Sequence, residues 1–217
     1  SVLDGILNAD KGLTRPLTPD EQRWVINERT LCAIDFHYYL SRYAYIVNWQ
    51  KEPQLFTPNI AQRMMLDIWG DLEREGRSIH LLQLKARRLG VSTLSELAIA
   101  HRVQFHPFTN AVVASADPTK SVVMADMIDF CWKRMPWWLM PKSSKVKNGM
   151  PVEFAEIDSG LTIQAGNQFN GVARGATPNV YHVCFAPETL VRTADGSLTS
   201  VRDLRAGDRV IAPDGQM

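Results

Sequence analysis

The sequence predicts an α/β fold, a mostly parallel sheet flanked by helices, followed by a short all-β segment. Three observations carry this. Short apolar runs alternate with helical stretches between about residues 78 and 183. The connections are long enough for the crossover helices that parallel strands need. From Cys184 onward the pattern changes to brief strand-like runs separated by Gly and Asp turns, an all-β signature.

Composition is that of an ordinary globular protein, with 217 residues, 45% hydrophobic, 22% charged and a net charge of +1. Near neutrality neither announces nucleic-acid binding nor excludes it, because DNA handling needs only local basic patches. Cys32, Cys131 and Cys184 lie far apart with no CxxC pair. That spacing speaks against a zinc site or a disulfide framework and fits a reducing compartment. No apolar run approaches the roughly 18 residues of a membrane span, and the polar opening SVLDGILNADKG is not a signal peptide. The chain begins without Met and runs out in APDGQM, so it is expected to be a fragment.

In chain order, residues 1–18 read as an ill-ordered lead-in. Thr18-Pro19-Asp20-Glu21 is a helix start, with a cap, a Pro and first-turn acids, and a helix is expected from Pro19 to about Leu40. Aromatics crowd Tyr38 to Trp49 as core or as a packing rim. Thr57-Pro58-Asn59 caps a second helix to about Glu75, with Ile60, Met64, Ile68 and Leu72 on one stripe. Ser78 to Leu84 (SIHLLQL) reads as a buried strand. It feeds the loop Lys85-Ala86-Arg87-Arg88-Leu89-Gly90-Val91-Ser92-Thr93, from which a helix continues to about Val103. Strands follow at Asn110 to Ser115, 152–156, 160–165 and Asn179 to Val183, with a helix from Asp117 to about Arg134. Beyond Cys184, Thr189 to Thr193 and Leu198 to Leu204 flank an Asp195-Gly196 hairpin turn, and Arg209 to Ala212 leaves as another strand. The expected divisions are residues 1–50, 51–183 and 184–217.

The basic loop is the first chemical feature. A phosphate loop has the form G-x-x-x-x-G-K-[ST], whose amides cradle phosphates and whose hydroxyl holds Mg²⁺. On that frame Lys85 stands at the first Gly, Gly90 is kept, Val91 replaces the Lys, and Ser92 keeps the hydroxyl. Lys85 and Arg87 bring cations from upstream, and Ser92 and Thr93 begin a helix where its dipole favours anions. The other reading of these residues is a basic strand-to-helix turn on a surface.

LKARRLGVST resembles the deviant phosphate loop of phage terminase large subunits, in which a basic residue early in the loop replaces or supplements the usual Lys. The resemblance covers about residues 50–183 and implies a P-loop NTPase-like ATPase that packages DNA into capsids. It implies ATP and Mg²⁺ as cofactors. Lys85, Arg87, Arg88, Gly90, Val91, Ser92 and Thr93 would be the nucleotide-binding loop, with Ser92 holding the metal through its hydroxyl and Thr93 as the substitute. FTPNIAQ resembles the adenine-recognising segment of the family, which makes Gln62 the candidate purine reader; an exposed helix Gln is the alternative. NAVVASADPTKS resembles the strand and helix after the phosphate loop. Ala173-Arg174-Gly175 also resembles the family, with Arg174 a DNA or phosphate contact or a plain surface arginine. The family further implies double-stranded DNA, a portal protein, a small terminase subunit and a homo-oligomeric ring as partners, no membrane, and the cytoplasm of an infected bacterial host.

A metal-holding strand of such ATPases ends in one or two acids. Asn179 to Val183 (NVYHV) is such a run, but Cys184 follows it and the next acid, Glu188, lies beyond Pro187. Poor ATP binding and little hydrolysis are therefore expected. CFAPETLVRTADG together with VRDLRAGDRVIAPDG resembles the N-terminal splicing block of inteins, the fold shared with hedgehog-type autoprocessing domains. In that family the first Cys attacks its preceding peptide bond, here Val183–Cys184, because a thiolate is both a good nucleophile and a good leaving group. The alternative is a buried Cys in an ordinary hairpin. The remaining splicing residues are not in the sequence, so a C-terminal intein fragment is an implied partner. Lys133, Arg134, Lys142, Lys145 and Lys147 form an acid-free run beside Trp137 and Trp138. Lys142, Lys145 and Lys147 are candidate DNA-phosphate contacts, and a solvated face is the alternative. Rival functions are a helicase-like ATPase or a non-catalytic α/β scaffold with a decayed nucleotide site.

Overall fold

The computed structural model describes residues 3–6, 13–79, 81, 83, 89–115, 118–141, 145–146, 152–165, 179–184, 188–205 and 207–210. Helix α1 (Pro19–Ile34) starts on a capping box, in which Thr18 and Glu21 each bond the other's backbone N–H. The single helix expected to run to Leu40 is two. Asp35 ends α1 by donating its N–H to the Leu31 carbonyl and caps α2 (Phe36–Arg42) by accepting the Tyr38 N–H at 2.9 Å. An aspartate that can serve both ends breaks a helix that pattern alone would continue.

The described residues of the lead-in are more ordered than composition suggests. Leu3 is buried among the core residues, Asp4–Ile6 make a 3₁₀ turn, and the Thr14 N–H donates to the Ile6 carbonyl. Strands β1 (Tyr45–Val47) and β2 (Pro53–Leu55) then pair antiparallel. At three residues each they are too short to show a sequence period.

Helix α3 (Ile60–Arg74) turns Gln62, Met65 and Leu66 inward. Its expected apolar stripe faces out instead, with Ile60, Met64 and Ile68 exposed. The cap decides this. Asn59 and Gln62 cap each other, and Gln62 is then pulled to the inner face by its bond to Gly90. The strand expected at Ser78 to Leu84 is also corrected. Of its residues, Ser78, Ile79, Leu81 and Gln83 are described, and all four are exposed and unpaired in any ladder. Without a neighbouring strand their backbone groups are left to water.

Helices α4 (Val91–Phe105) and α5 (Pro118–Trp132) flank strand β3 (Asn110–Ser115) in the chain. Strands β4 (Lys145–Val146), β5 (Val152–Phe154), β6 (Ser159–Ala165) and β7 (Val180–Cys184) complete a sheet of order β4-β5-β6-β3-β7. β3 is parallel to both β6 and β7, while β4, β5 and β6 are antiparallel neighbours. The sheet is thus mixed, parallel at its centre. A separate hairpin of β8 (Leu190–Arg192) and β9 (Leu198–Ser200) turns through Gly196 at φ +85°, and Thr193 bridges Val210 beyond it. The return run expected to Leu204 stops at Ser200, where a 3₁₀ turn (Val201–Asp203) replaces it. Among the described residues no helix is long and apolar enough to cross a membrane.

One face of the sheet, with Ala111, Val113 and Leu161, packs on Ile99, Ala100 and Val103 of α4 and on Met124 and Ile128 of α5. The other side of α4 closes a second cluster, in which Leu94 and Leu97 meet Cys32, Tyr39 and Leu40 from the N-terminal helices and Trp138. Polar residues on α4 are therefore sealed in. The buried His101 donates Nε2–H to the Cys32 carbonyl at 2.7 Å and lies among the rings of Phe36, Tyr39 and Phe105. Burial holds its pKa down to about 4. The unfolded chain would take up that proton near the ordinary histidine value of about 6.5, and the folded chain resists until about 4. Stability is therefore expected to fall on acidification across this window, by on the order of 3 kcal/mol from this residue. Urea unfolding from pH 7 to 4.5 should show the slope, and His101→Gln, which keeps a donor for Cys32, should flatten it.

Candidate functional site

Gly90 sets the start of α4. It is the helix N-cap at φ +67°, a left-handed conformation. Its carbonyl accepts both the Leu94 N–H and the Gln62 Nε2, the latter at 2.6 Å, and Asn59 Nδ2 donates to the Leu89 carbonyl. A Cβ on Gly90 would meet Gln62 Nε2 at 2.6 Å. The N-terminal cap of α3 thus clamps the loop that opens α4. Gln62, the expected purine reader, is buried, and its Oε1 accepts from the Asn59 N–H while its Nε2 holds Gly90. One amide N–H is left for anything else.

Val91, at the position where a phosphate loop carries Lys, is buried in the core beside Leu94. This explains an apolar residue there: the first turn of α4 is anchored through it. Ser92 instead faces a cavity of about 250 Å³, bordered also by Thr119, Lys120, Met124, Met127 and Cys184. Thr93 lies with its hydroxyl 3.8 Å from the Met127 sulfur. Ser115 and Cys184, the last residues of β3 and β7, are register partners. The cavity therefore sits where open parallel sheets usually take ligands, at the carboxyl ends of the strands. Sequence reasoning placed Ser92 and Cys184 in two unrelated sites; the fold brings them to one.

Behind Cys184 lies a cluster that the sequence did not signal. Cys184 Sγ is 3.5 Å from His182 Nε2, and the same nitrogen is 3.9 Å from Glu96 Oε1. Alternation along β7 puts both residues on the face toward α4. Glu96 is fully buried, one helical turn beyond Ser92, and neither carboxylate oxygen has a hydrogen-bond partner among the described residues. Burial raises its pKa to about 8. Cys32 and Cys131 are fully buried, and burial pushes their thiols up to about 12 and about 11, whereas Cys184 is half-buried.

Lys85, Arg87, Arg88, Lys142, Lys147 and Arg174 lie outside the described residues. Lys145 belongs to β4, and its side chain is likewise undescribed. Nearby, Lys133 pairs with Asp129, and the Arg134 guanidinium rests 3.5 Å over the Phe130 ring. Trp138 is buried edge-on against Trp24 and Tyr43, and Trp137 packs against the same core. Both tryptophans of the basic run thus serve packing.

No protein-family model matches the chain, and no curated protein matches it in sequence.

Gly90→Ala is expected to cost roughly 1–3 kcal/mol, from the left-handed backbone and the displaced Gln62 amide. Thermal unfolding measures it, and wild-type stability in this variant would count against the clamp.

Proposed function

We propose that the chain is the ATP-binding portion of a DNA-packaging motor of the phage terminase large-subunit type, interrupted at Cys184 by the start of an intein. The observation that carries the reading is the shared cavity of Ser92 and Cys184. In an ATPase of this kind the end of that strand is where a carboxylate should hold magnesium through water. Here a cysteine stands at that position, opposite Ser115 at the end of β3. An insertion beginning at Cys184 would explain why no acid ends this strand.

The cavity wall is largely apolar, with Val123, Met124 and Met127, and a short set of donors could meet a nucleotide's phosphates. That set includes the N-terminus of α4, the Ser92 and Thr119 hydroxyls and the Lys120 ammonium. Ser92 would hold magnesium by its hydroxyl, and Lys120 would share the phosphate charge with Lys85, Arg87 and Arg88. Bound magnesium would neutralise charge on the transferred phosphoryl group. Glu96 does not substitute for the absent acid, because it is buried in the core beside His182 and does not line the cavity. The bound nucleotide would reach Gln62 by its purine edge through the remaining amide N–H. Lys142, Lys145, Lys147 and Arg174 would meet DNA phosphates. A portal protein and a small terminase subunit are the proposed partners of an oligomeric ring.

The splicing half follows from the second motif. The β8–β9 hairpin and the Thr193–Val210 bridge supply the short antiparallel strands that such a block needs. With a complementary C-terminal intein segment added in trans, dithiothreitol should cleave the chain after Val183, read as a mass change. Cys184→Ala should abolish it. No cleavage in the presence of the partner would overturn the splicing half. For the ATPase half, calorimetry should show weak, magnesium-dependent ATP binding that Ser92→Ala weakens further by about tenfold or more. Turnover by this chain at the 1–100 s⁻¹ scale of efficient phosphoryl-transfer enzymes would overturn the missing-acid argument.

A further inference from the structure

The Glu96–His182–Cys184 cluster belongs to neither motif. Glu96 and His182 lie on the ATPase side of the proposed junction, on α4 and β7, while the thiol lies just beyond it. A carboxyl with no exposure and no hydrogen-bond partner is costly to bury and calls for a reason. Among the described residues the His182 ring comes nearest to pairing with it, at 3.9 Å, and that ring also touches the Cys184 sulfur.

We propose that His182 is the general base for Cys184 and that Glu96 is a positioning residue, held in the core to stabilise the imidazolium that forms. This inference rests on the splicing reading for its chemical outcome, though not for the activation of the thiol. The Cys184 thiol gives its proton to His182 Nε2. The thiolate attacks the Val183 carbonyl carbon, forming a C–S bond and a tetrahedral oxyanion. Collapse breaks the Val183–Cys184 C–N bond, and the leaving amine recovers the proton from the imidazolium. The products are a Val183 thioester on Sγ and a free α-amine on Cys184, with no other reactant consumed.

Both partners approach one nitrogen, and this fits the role. Once Nε2 is protonated, its single N–H lies between a thiolate and a carboxyl, so charge created at sulfur has its counter-charge within 3.5 Å. A buried carboxyl, reluctant to ionise alone, becomes the anion most readily beside that imidazolium. The arrangement also means that residues of the interrupted protein, not only those of the insertion, would drive the first step of excision. The cavity that Ser92 and Cys184 both line leaves room for an electrophile or an incoming thiol beside the sulfur.

The test is the rate at which iodoacetamide alkylates Cys184 in the folded chain at neutral pH, read site by site in mass-resolved peptides. Cys32 and Cys131 serve as inert internal references, being fully buried. Wild type is expected to react at Cys184 faster than free cysteine. His182→Gln and Glu96→Gln should each slow it by about tenfold or more, with an unchanged circular-dichroism spectrum. Glu96→Asp should recover part of the rate, and free imidazole should recover it in His182→Ala but not in wild type. A structural role would move neither of these rescues. Unchanged alkylation in folded Glu96→Gln or His182→Gln overturns the proposal, and so does failure of imidazole to accelerate His182→Ala. Cleavage after Val183 is scored separately: alkylation differences without cleavage keep the cluster and reject splicing, while cleavage without alkylation differences does the reverse.

Discussion

Helix α4 is enclosed by protein, and the rest of the structure answers to that constraint. Ten of its fifteen residues are buried, on all sides of the helix. A helix so placed cannot leave polar groups to water, so each needs a partner inside. His101 has the Cys32 carbonyl, and Gln104 has the Leu139 carbonyl and the Tyr39 hydroxyl. These bonds tie α4 to α1, α2 and the segment after α5, which is why the N-terminal helices share a core with the residues around Trp138. Glu96 is the exception. Its isolation makes it the residue on α4 whose burial packing alone does not explain.

The enclosure also aims the helix. With Val91 buried and Gly90 clamped by Gln62, the first turn has one open direction, and Ser92 takes it. Parallel pairing of β3 with β7 then brings Cys184 to the same opening. The cavity is assembled from three elements that are remote in the chain, and none of them determines it alone.

Much of this was legible beforehand. The helices at Ile60–Arg74, Val91–Phe105 and Pro118–Trp132 and the strands at Asn110–Ser115 and Val180–Cys184 carry caps or apolar runs long enough to read. Gly90 was readable as a turn because glycine before a helix so often marks one. What stayed hidden shares a cause. The break at Asp35 and the inward turn of Gln62, which leaves Ile60, Met64 and Ile68 outward, are each decided by a single side-chain bond, the first to Tyr38 nearby and the second to Gly90 far along the chain. The described residues of the run at Ser78 form no strand because apolar composition makes one only where a neighbour exists. Glu96 and His182 carry no local signature at all, since 86 residues separate them. Only the sheet register makes them neighbours.

That register has a further consequence. Val183 and Cys184 are the fourth and fifth of the five residue pairs that join β7 to β3. Only the pair Ser115–Cys184 lies past the bond between them. Among the described residues β7 is held by β3 alone, as an outer strand. Cutting the chain at that bond would thus remove one rung from the end of the ladder and leave four in place. The severed protein would keep its newly made end fixed at the rim of the cavity, like a splice held in a clamp, rather than releasing it into solvent.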